Sequence, residues 1–270
     1  MAGFWKRLFA GPSKDRATSE STHERVDSII AELKAQARPC LRLVPAAGGK
    51  SRLGGPAEMA GAWPRYEGRP LSLLAQLDLA EIHAAGGVDW LPSHGRLLFF
   101  YELEHSGWGG TSADAGCAVV RYETGAPIVA AEPADLPTDF RFDARPIRFS
   151  ADTSLPDETR LNINWRSLSR AEEAALEQAI EALAPPEPVH QLGGFPAPIQ
   201  DDQMELECQR AVSPSEKGAR ASDWRLLLQL DTDEEAGMMW GDTGRLYFWV
   251  REQDARAGDF SRTWTILQCF

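Results

Sequence analysis

The feature that most restricts how this chain can fold is that it reads twice. Leu53-Gly54-Gly55-Pro56 returns as Leu192-Gly193-Gly194-Phe195-Pro196, and Leu73 to Asp78 (LLAQLD) returns as Leu226 to Asp231 (LLLQLD). Gly95-Arg96-Leu97 opens an apolar run to Glu102, and Gly244-Arg245-Leu246 opens another to Arg251. A last apolar run, Cys117 to Tyr122, matches Trp264 to Phe270 in place and character. Four matched segments in one order predict two degenerate copies of a unit of roughly a hundred residues.

The flanks repeat as well. Ser21-Thr22-His23-Glu24 and Ser169-Arg170-Ala171-Glu172 both have the S-x-x-E form of a capping box, in which serine accepts from a free backbone N–H and glutamate reaches back. Val26, Ile29, Ile30 and Leu33 follow the first box at helical spacing; Leu176, Ile180 and Leu183 follow the second, with Pro39 and Pro185-Pro186 as stops. Leu71–Leu77, Leu97–Leu103, Leu226–Leu230 and Leu246–Val250 read as strands covered on both faces. Met204 to Gln209 alternates and reads as an extra strand with one wet face. The expected fold is α+β and β-rich: two similar units, each with a leading helix and a mainly antiparallel sheet, packed as one compact body. The expected divisions are a flexible segment 1–20, a first unit 21–125, a connector 126–167 lying over the core with one strand around Ile147–Ser150, and a second unit 168–270.

With Ser51 to Gly55, Trp63-Pro64, Ala75-Gln76-Leu77, Leu228-Gln229-Leu230 and Gly241 to Phe248 in view, the chain resembles the YwqG-like proteins of bacteria, a domain of unknown function numbered 1963. The likeness runs from about Ser51 to Phe270, and Asp259-Phe260 and Leu267-Gln268-Cys269 fit the family's ending. The resemblance implies a shared fold and carries no catalytic residues with it.

Charge narrows the partners. Lysine and arginine number 28 against 40 acidic residues, a net charge of −12. Such a surface repels phosphate backbones and anionic headgroups, which argues against nucleic acid, and it would attract a basic protein patch or a cationic ligand. The cysteines Cys40, Cys117, Cys208 and Cys269 are far apart and read as free thiols of a reducing cytoplasm. No signal peptide and no apolar run long enough to span a bilayer are evident, so a cytoplasmic location is expected. Phe4 to Phe9 (FWKRLF) is the one basic, aromatic segment that would touch a membrane surface; a frayed terminus is its plainer reading. Oligomeric state leaves no mark in the sequence.

Among candidate site residues, Gln76 with Asp78 and Gln229 with Asp231 stand out. Residues two apart on a strand face the same way, so both pairs would meet in a polar cleft if the units pack about a twofold axis. The plainer reading makes each glutamine a buried amide tying down a loop, and each aspartate (D-x-x-E in both places) a helix N-cap. Gly54, Gly55, Gly193 and Gly194 lack the G-x-G-x-x-G pattern of a dinucleotide loop and read as structural turns needing positive φ. The acidic run Asp231, Asp233, Glu234, Glu235 and Asp242 fails the EF-hand pattern, since Ala236 and Asp242 stand where glycine and glutamate are needed. The histidines His23, His83, His94, His105 and His190 show no zinc spacing. No catalytic residue, metal or cofactor is expected. The leading expectation is a non-enzymatic protein that recognises a protein partner through a groove between its two units. The alternative is an enzyme or small-ligand protein using Gln76, Asp78, Gln229 and Asp231.

Overall fold

Twelve strand segments and five α-helices are described in a computed structural model covering residues 14–86, 88–104, 107–161, 163–212 and 220–270. Phe4–Phe9 lies outside the described residues. Helix α1 (Lys14–Ala35) starts ahead of Ser21, so the first S-x-x-E box is inside the helix and residues 14–20, expected to be flexible, belong to it. Nothing between Lys14 and Ala35 is Gly or Pro, so no residue stops the helix from extending upstream of the box. Helix α3 (Arg170–Glu181) does begin at its box: Ser169 Oγ accepts from Glu172 N–H at 3.3 Å and Glu172 Oε2 accepts from Ser169 N–H at 2.7 Å. The two helices lie together, with Arg25 donating to the Ser167 carbonyl at 3.0 Å.

The strands are β1 (Arg38–Pro45), β2 (Arg52–Leu53), β3 (Arg65–Tyr66), β4 (Arg69–Pro70), β5 (Ser72–Asp78), β6 (Arg96–Tyr101), β7 (Ala118–Glu123), β8 (Arg145–Ser154), β9 (Gln191–Leu192), β10 (Trp224–Asp231), β11 (Arg245–Arg251) and β12 (Trp264–Gln268). β3 and β4 form a small hairpin; the rest make one ten-stranded antiparallel sheet in the order β12-β11-β10-β9-β1-β8-β2-β5-β6-β7. The continuously apolar runs became fully buried strands: every residue of β6 and of β11 is buried. The 126–167 stretch, expected over the core, instead contributes β8 to the middle of the sheet, paired with β1 along its whole length from Arg38↔Ser154 to Pro45↔Ile147.

Outward from that central pair run β9, β10, β11 and β12 on one side and β2, β5, β6 and β7 on the other. The sheet curls until its two arms meet. Phe99 of β6 packs edge-on against Phe248 of β11 at 5.2 Å, Tyr101 against Trp240 at 6.5 Å, and Tyr122 of β7 against Phe260 at 5.6 Å. One apolar cluster therefore draws on both arms. The outer edge of β12 is capped by the loop that follows β6, where Trp108 O accepts from Leu267 N–H and Gly109 O from Trp264 Nε1–H. The loop thereby engages one backbone N–H of an edge that would otherwise invite another chain. The fold is thus α+β, with a large, nearly closed antiparallel sheet.

The expected strand at Met204–Gln209 is a helix, α4 (Met204–Val212). Met204, Cys208 and Ala211 are its buried residues and pack under Trp224, Trp249 and Trp264. Over six residues, positions i and i+4 satisfy both a period of two and one of 3.6, so the shorter window misled; Ala211 breaks the tie.

Candidate functional site

Gln76 and Gln229 sit at the same depth in β5 and β10, each just past a strand irregularity, between Leu73 and Ala75 and between Leu226 and Leu228. Gln76 Oε1 accepts from Glu58 N–H at 2.9 Å, and its Nε2 donates to Glu58 Oε2 at 3.1 Å. Gln229 Oε1 accepts from Ala197 N–H at 2.9 Å, and its Nε2 donates to Val189 O at 2.8 Å. Both amides tie down the loop that follows a glycine pair. Arginines finish the job: Arg96 Nε donates to Glu58 O at 2.6 Å and Arg245 Nη1 to Ala197 O at 3.1 Å. Each buried amide is thus bonded at both its oxygen and its nitrogen, with one N–H and one lone pair to spare. Gln229→Leu is expected to destabilise the fold by about 2–4 kcal/mol, because the part-buried Ala197 N–H and the buried Val189 carbonyl both lose their partner. Gln76→Leu, beside the part-exposed Glu58 carboxylate, should cost about 1–3 kcal/mol; urea unfolding of the two variants checks both values.

The aspartates part company. Asp78 is the N-cap of α2 (Leu79–Ala85), with its side chain accepting from Glu81 N–H at 3.0 Å. Glu81 turns the other way and accepts from Lys50 and Ser51 N–H at 2.8 and 2.9 Å. Burial pushes its pKa up, yet these bonds outweigh it and hold the carboxyl below its ordinary value. Asp231 caps no helix. The chain after it makes a tight turn, with Asp233 N–H and Met238 O, and Met238 N–H and Asp233 O, paired at 2.8 and 2.9 Å. Gly237, at φ +67, allows that reversal, and it is Asp233 whose side chain accepts from Ala236 N–H. Asp231 instead accepts from Val189 N–H at 2.7 Å and from Arg245 Nε at 2.9 Å.

All four glycines have positive φ, +57 and +76 at Gly54 and Gly55, +72 and +76 at Gly193 and Gly194. Their second members also sit where a side chain has no room: a Cβ on Gly55 would lie 2.6 Å from Ala144 Cβ, and one on Gly194 2.2 Å from Ser154 Oγ and 2.9 Å from Cys40 Cβ. Each pair thus lets a loop press against one of the two central strands or its approach.

Beside that junction is a cleft of about 1260 Å³. It is lined by the end of β1 (Arg42–Pro45) with Ala46 after it, Leu53 of β2, Ala144 and the β8 residues 145–147 and 150–152, residues 185–190, residues 231–235, and Thr243, Arg245 and Phe270. Of the four candidate residues only Asp231 lines it; Gln76, Asp78 and Gln229 do not. His190, which does, has both ring nitrogens engaged: Nδ1 accepts from Asp231 N–H at 3.0 Å and Nε2 faces Asp233 Oδ2 at 3.2 Å. That bond to His190 holds the Asp233 carboxyl below its usual range. A smaller hollow of about 510 Å³ is lined by Arg38, Arg160, Asp202, Glu205, Trp224 and Arg225, among others. There Arg160 clamps Asp202 and Glu205 and stacks 5.3 Å from the Phe195 ring, so its charge is spent internally.

Burial raises the thiol pKa of Cys40, of Cys117 to about 12, and of Cys208, which keeps them protonated and poorly nucleophilic. Among the described residues no group of three or more His, Cys, Asp or Glu is arranged to hold a metal ion, and no helix is long and apolar enough to cross a membrane. The cleft residues Arg42, Asp152, Glu187 and His190 were not singled out as a site from the sequence; they come from segments without a shared motif, and only the charged β10–β11 loop drew notice.

Fold and cleft together define a mixed α+β protein with a cleft built over the central strands of one curled sheet. The family model described as "Domain of unknown function (DUF1963)" matches residues 51–269, and the chain belongs to that family. No curated protein matches it.

Proposed function

We propose that this chain is a duplicated, non-catalytic binding protein that takes a segment of a partner protein in the cleft over β1 and β8. The duplication is supported by the mirrored strand order and by matched bonds: Gln76 to Glu58 as Gln229 to Ala197, Gly55 on Ala144 as Gly194 on Cys40. Ser51 Oγ accepts from Asp78 N–H at 2.9 Å just as His190 Nδ1 accepts from Asp231 N–H. On this reading β1 and β8 are the exchanged leading strands of the two units, each pairing with the short strand of the other.

The observation that carries the binding role is the size and make-up of the cleft. At about 1260 Å³ it exceeds the ~300–1,000 Å³ of ordinary small-molecule sites. Both halves contribute walls, and its charged groups are largely held in fixed pairs. Groups locked in such pairs present a shaped surface and are themselves unavailable as acid or base. The test is affinity capture from host lysate with the wild-type chain and with Ala46→Trp, which fills the cleft from the part-exposed residue just after β1. A partner retained by the wild type and lost by the variant is the expected result; identical sets of captured proteins would end this reading.

A further inference from the structure

We infer that the segment seated in this cleft is extended and carries lysine or arginine, recognised by the acidic turn between β10 and β11. The inference rests on the binding reading above and specifies its partner. The lining holds three arginines, Arg42, Arg145 and Arg245, against six side-chain carboxylates, those of Asp152, Glu187, Asp231, Asp233, Glu234 and Glu235. Two of the arginines are committed. Arg245 binds Asp231 at 2.9 Å and Glu187 at 2.7 Å, and Arg42 binds Asp152 at 2.9 Å as well as the Gln191 amide. Arg145 reaches Glu235 at only 3.7 Å, and with side-chain exposures of 46% and 87% this pair is weakly held in water.

His190 is engaged at both ring nitrogens, by Asp231 N–H and by the Asp233 carboxylate. Glu234 has no ion-pair partner among the described residues, and Glu235 has only the loose one. The cleft therefore presents an excess of carboxylate at one wall, on a protein whose net charge is already −12. Val44, Pro45, Pro146, Pro185 and Pro186 line the same cleft and supply an apolar surface. A lining that offers both carboxylates and apolar surface suits a peptide that carries cationic and apolar side chains together. A free polyamine would satisfy the acidic wall and leave the apolar rim in water.

The test uses the purified full chain and two series of short, fluorescently labelled peptides in a Pro, Val and Ser background. One series carries increasing numbers of Lys or Arg; the other has Glu in the same places. Binding is read at near-physiological ionic strength for the wild type, Glu234→Lys/Glu235→Lys and Ala46→Trp, with Ser150→Tyr replacing Ala46→Trp if its thermal unfolding shows that it does not fold. The wild type should prefer the basic series, the charge reversal should weaken that series by about tenfold, and the cleft-filling variant should weaken both series. Equal wild-type binding of both series, still lost on filling the cleft, overturns the charge inference and leaves the cleft reading standing. Filled-cleft binding equal to wild type removes the cleft itself. No binding of either series, or spermine competing as tightly as the best peptide, also overturns the inference.

Discussion

Gly194→Val should destabilise this protein by about 3–5 kcal/mol, combining a β-branched residue at positive φ with overpacking of a closed site. Gly194 has φ +76, and its missing Cβ would stand 2.2 Å from Ser154 Oγ and 2.9 Å from Cys40 Cβ. Those atoms belong to β8 and β1, the central pair, and Ser154 Oγ also accepts from Phe195 N–H at 2.6 Å. A side chain there must push the loop out of the junction where β9 joins β1 through Leu192↔Leu41 and Gln191↔Arg42. A loss of this size is a large share of the ~5–15 kcal/mol that stabilises a typical domain. Gly193→Ala is the internal control. Its Cβ would meet only the tip of Val88, at 3.2 Å, so the cost should be about 1–2 kcal/mol from backbone strain alone. Urea midpoints of the two variants separate the effects; closely similar values would mean that the tight junction contributes nothing.

A comparable loss, about 3–5 kcal/mol at neutral pH, is expected for Arg160→Met, which leaves a buried carboxylate without its cation. The Asp202 side chain is 0% exposed and takes Arg160 as its partner, while Arg160 also holds Glu205 at 2.8 Å. Burial already pushes the Asp202 carboxyl above its ordinary value despite the arginine. Removing Arg160 raises it further. Because the folded value then lies above the unfolded one, near ~3.9, the folded state binds the extra proton. Its stability is therefore greatest below the unfolded value and falls as pH rises through the folded one. The Arg160→Met defect should shrink on acidification toward pH 4, and Asp202→Leu added to it should recover much of the loss at neutral pH. Denaturant unfolding across that range is the measurement, and a defect independent of pH would exclude the unpaired carboxylate as its cause.

Both variants probe places where the fold was only half legible. The apolar runs of β5, β6, β10 and β11 announced themselves because strands covered on both faces need unbroken hydrophobicity. The box at Ser169 announced α3, since capping is a local matter of a few residues. β2 and β9, two residues each, are too short to carry any periodic signal. β1 lies between Pro39 and Pro45, residues that read as breaks rather than as the ends of a central strand. The D-x-x-E pattern served Asp78 and failed Asp231, because Gly237 lets the second chain reverse before a helix can form.

The sequence alone determined that there would be buried strands of a given place and length, two leading helices, glycine pairs in strained turns, and glutamines held inside. Each of these follows from short-range rules: the pleat, the cap, the missing Cβ, the need to satisfy a buried amide. Only the tertiary structure decided that β1 and β8 lie side by side at the centre, that the sheet curls until Phe99 meets Phe248, and that a cleft opens there. Those outcomes depend on pairing between residues more than a hundred positions apart, such as Arg38 with Ser154 and Arg42 with Gln191. The choice among such pairings is made by the packing of whole faces, which no local pattern of residues records.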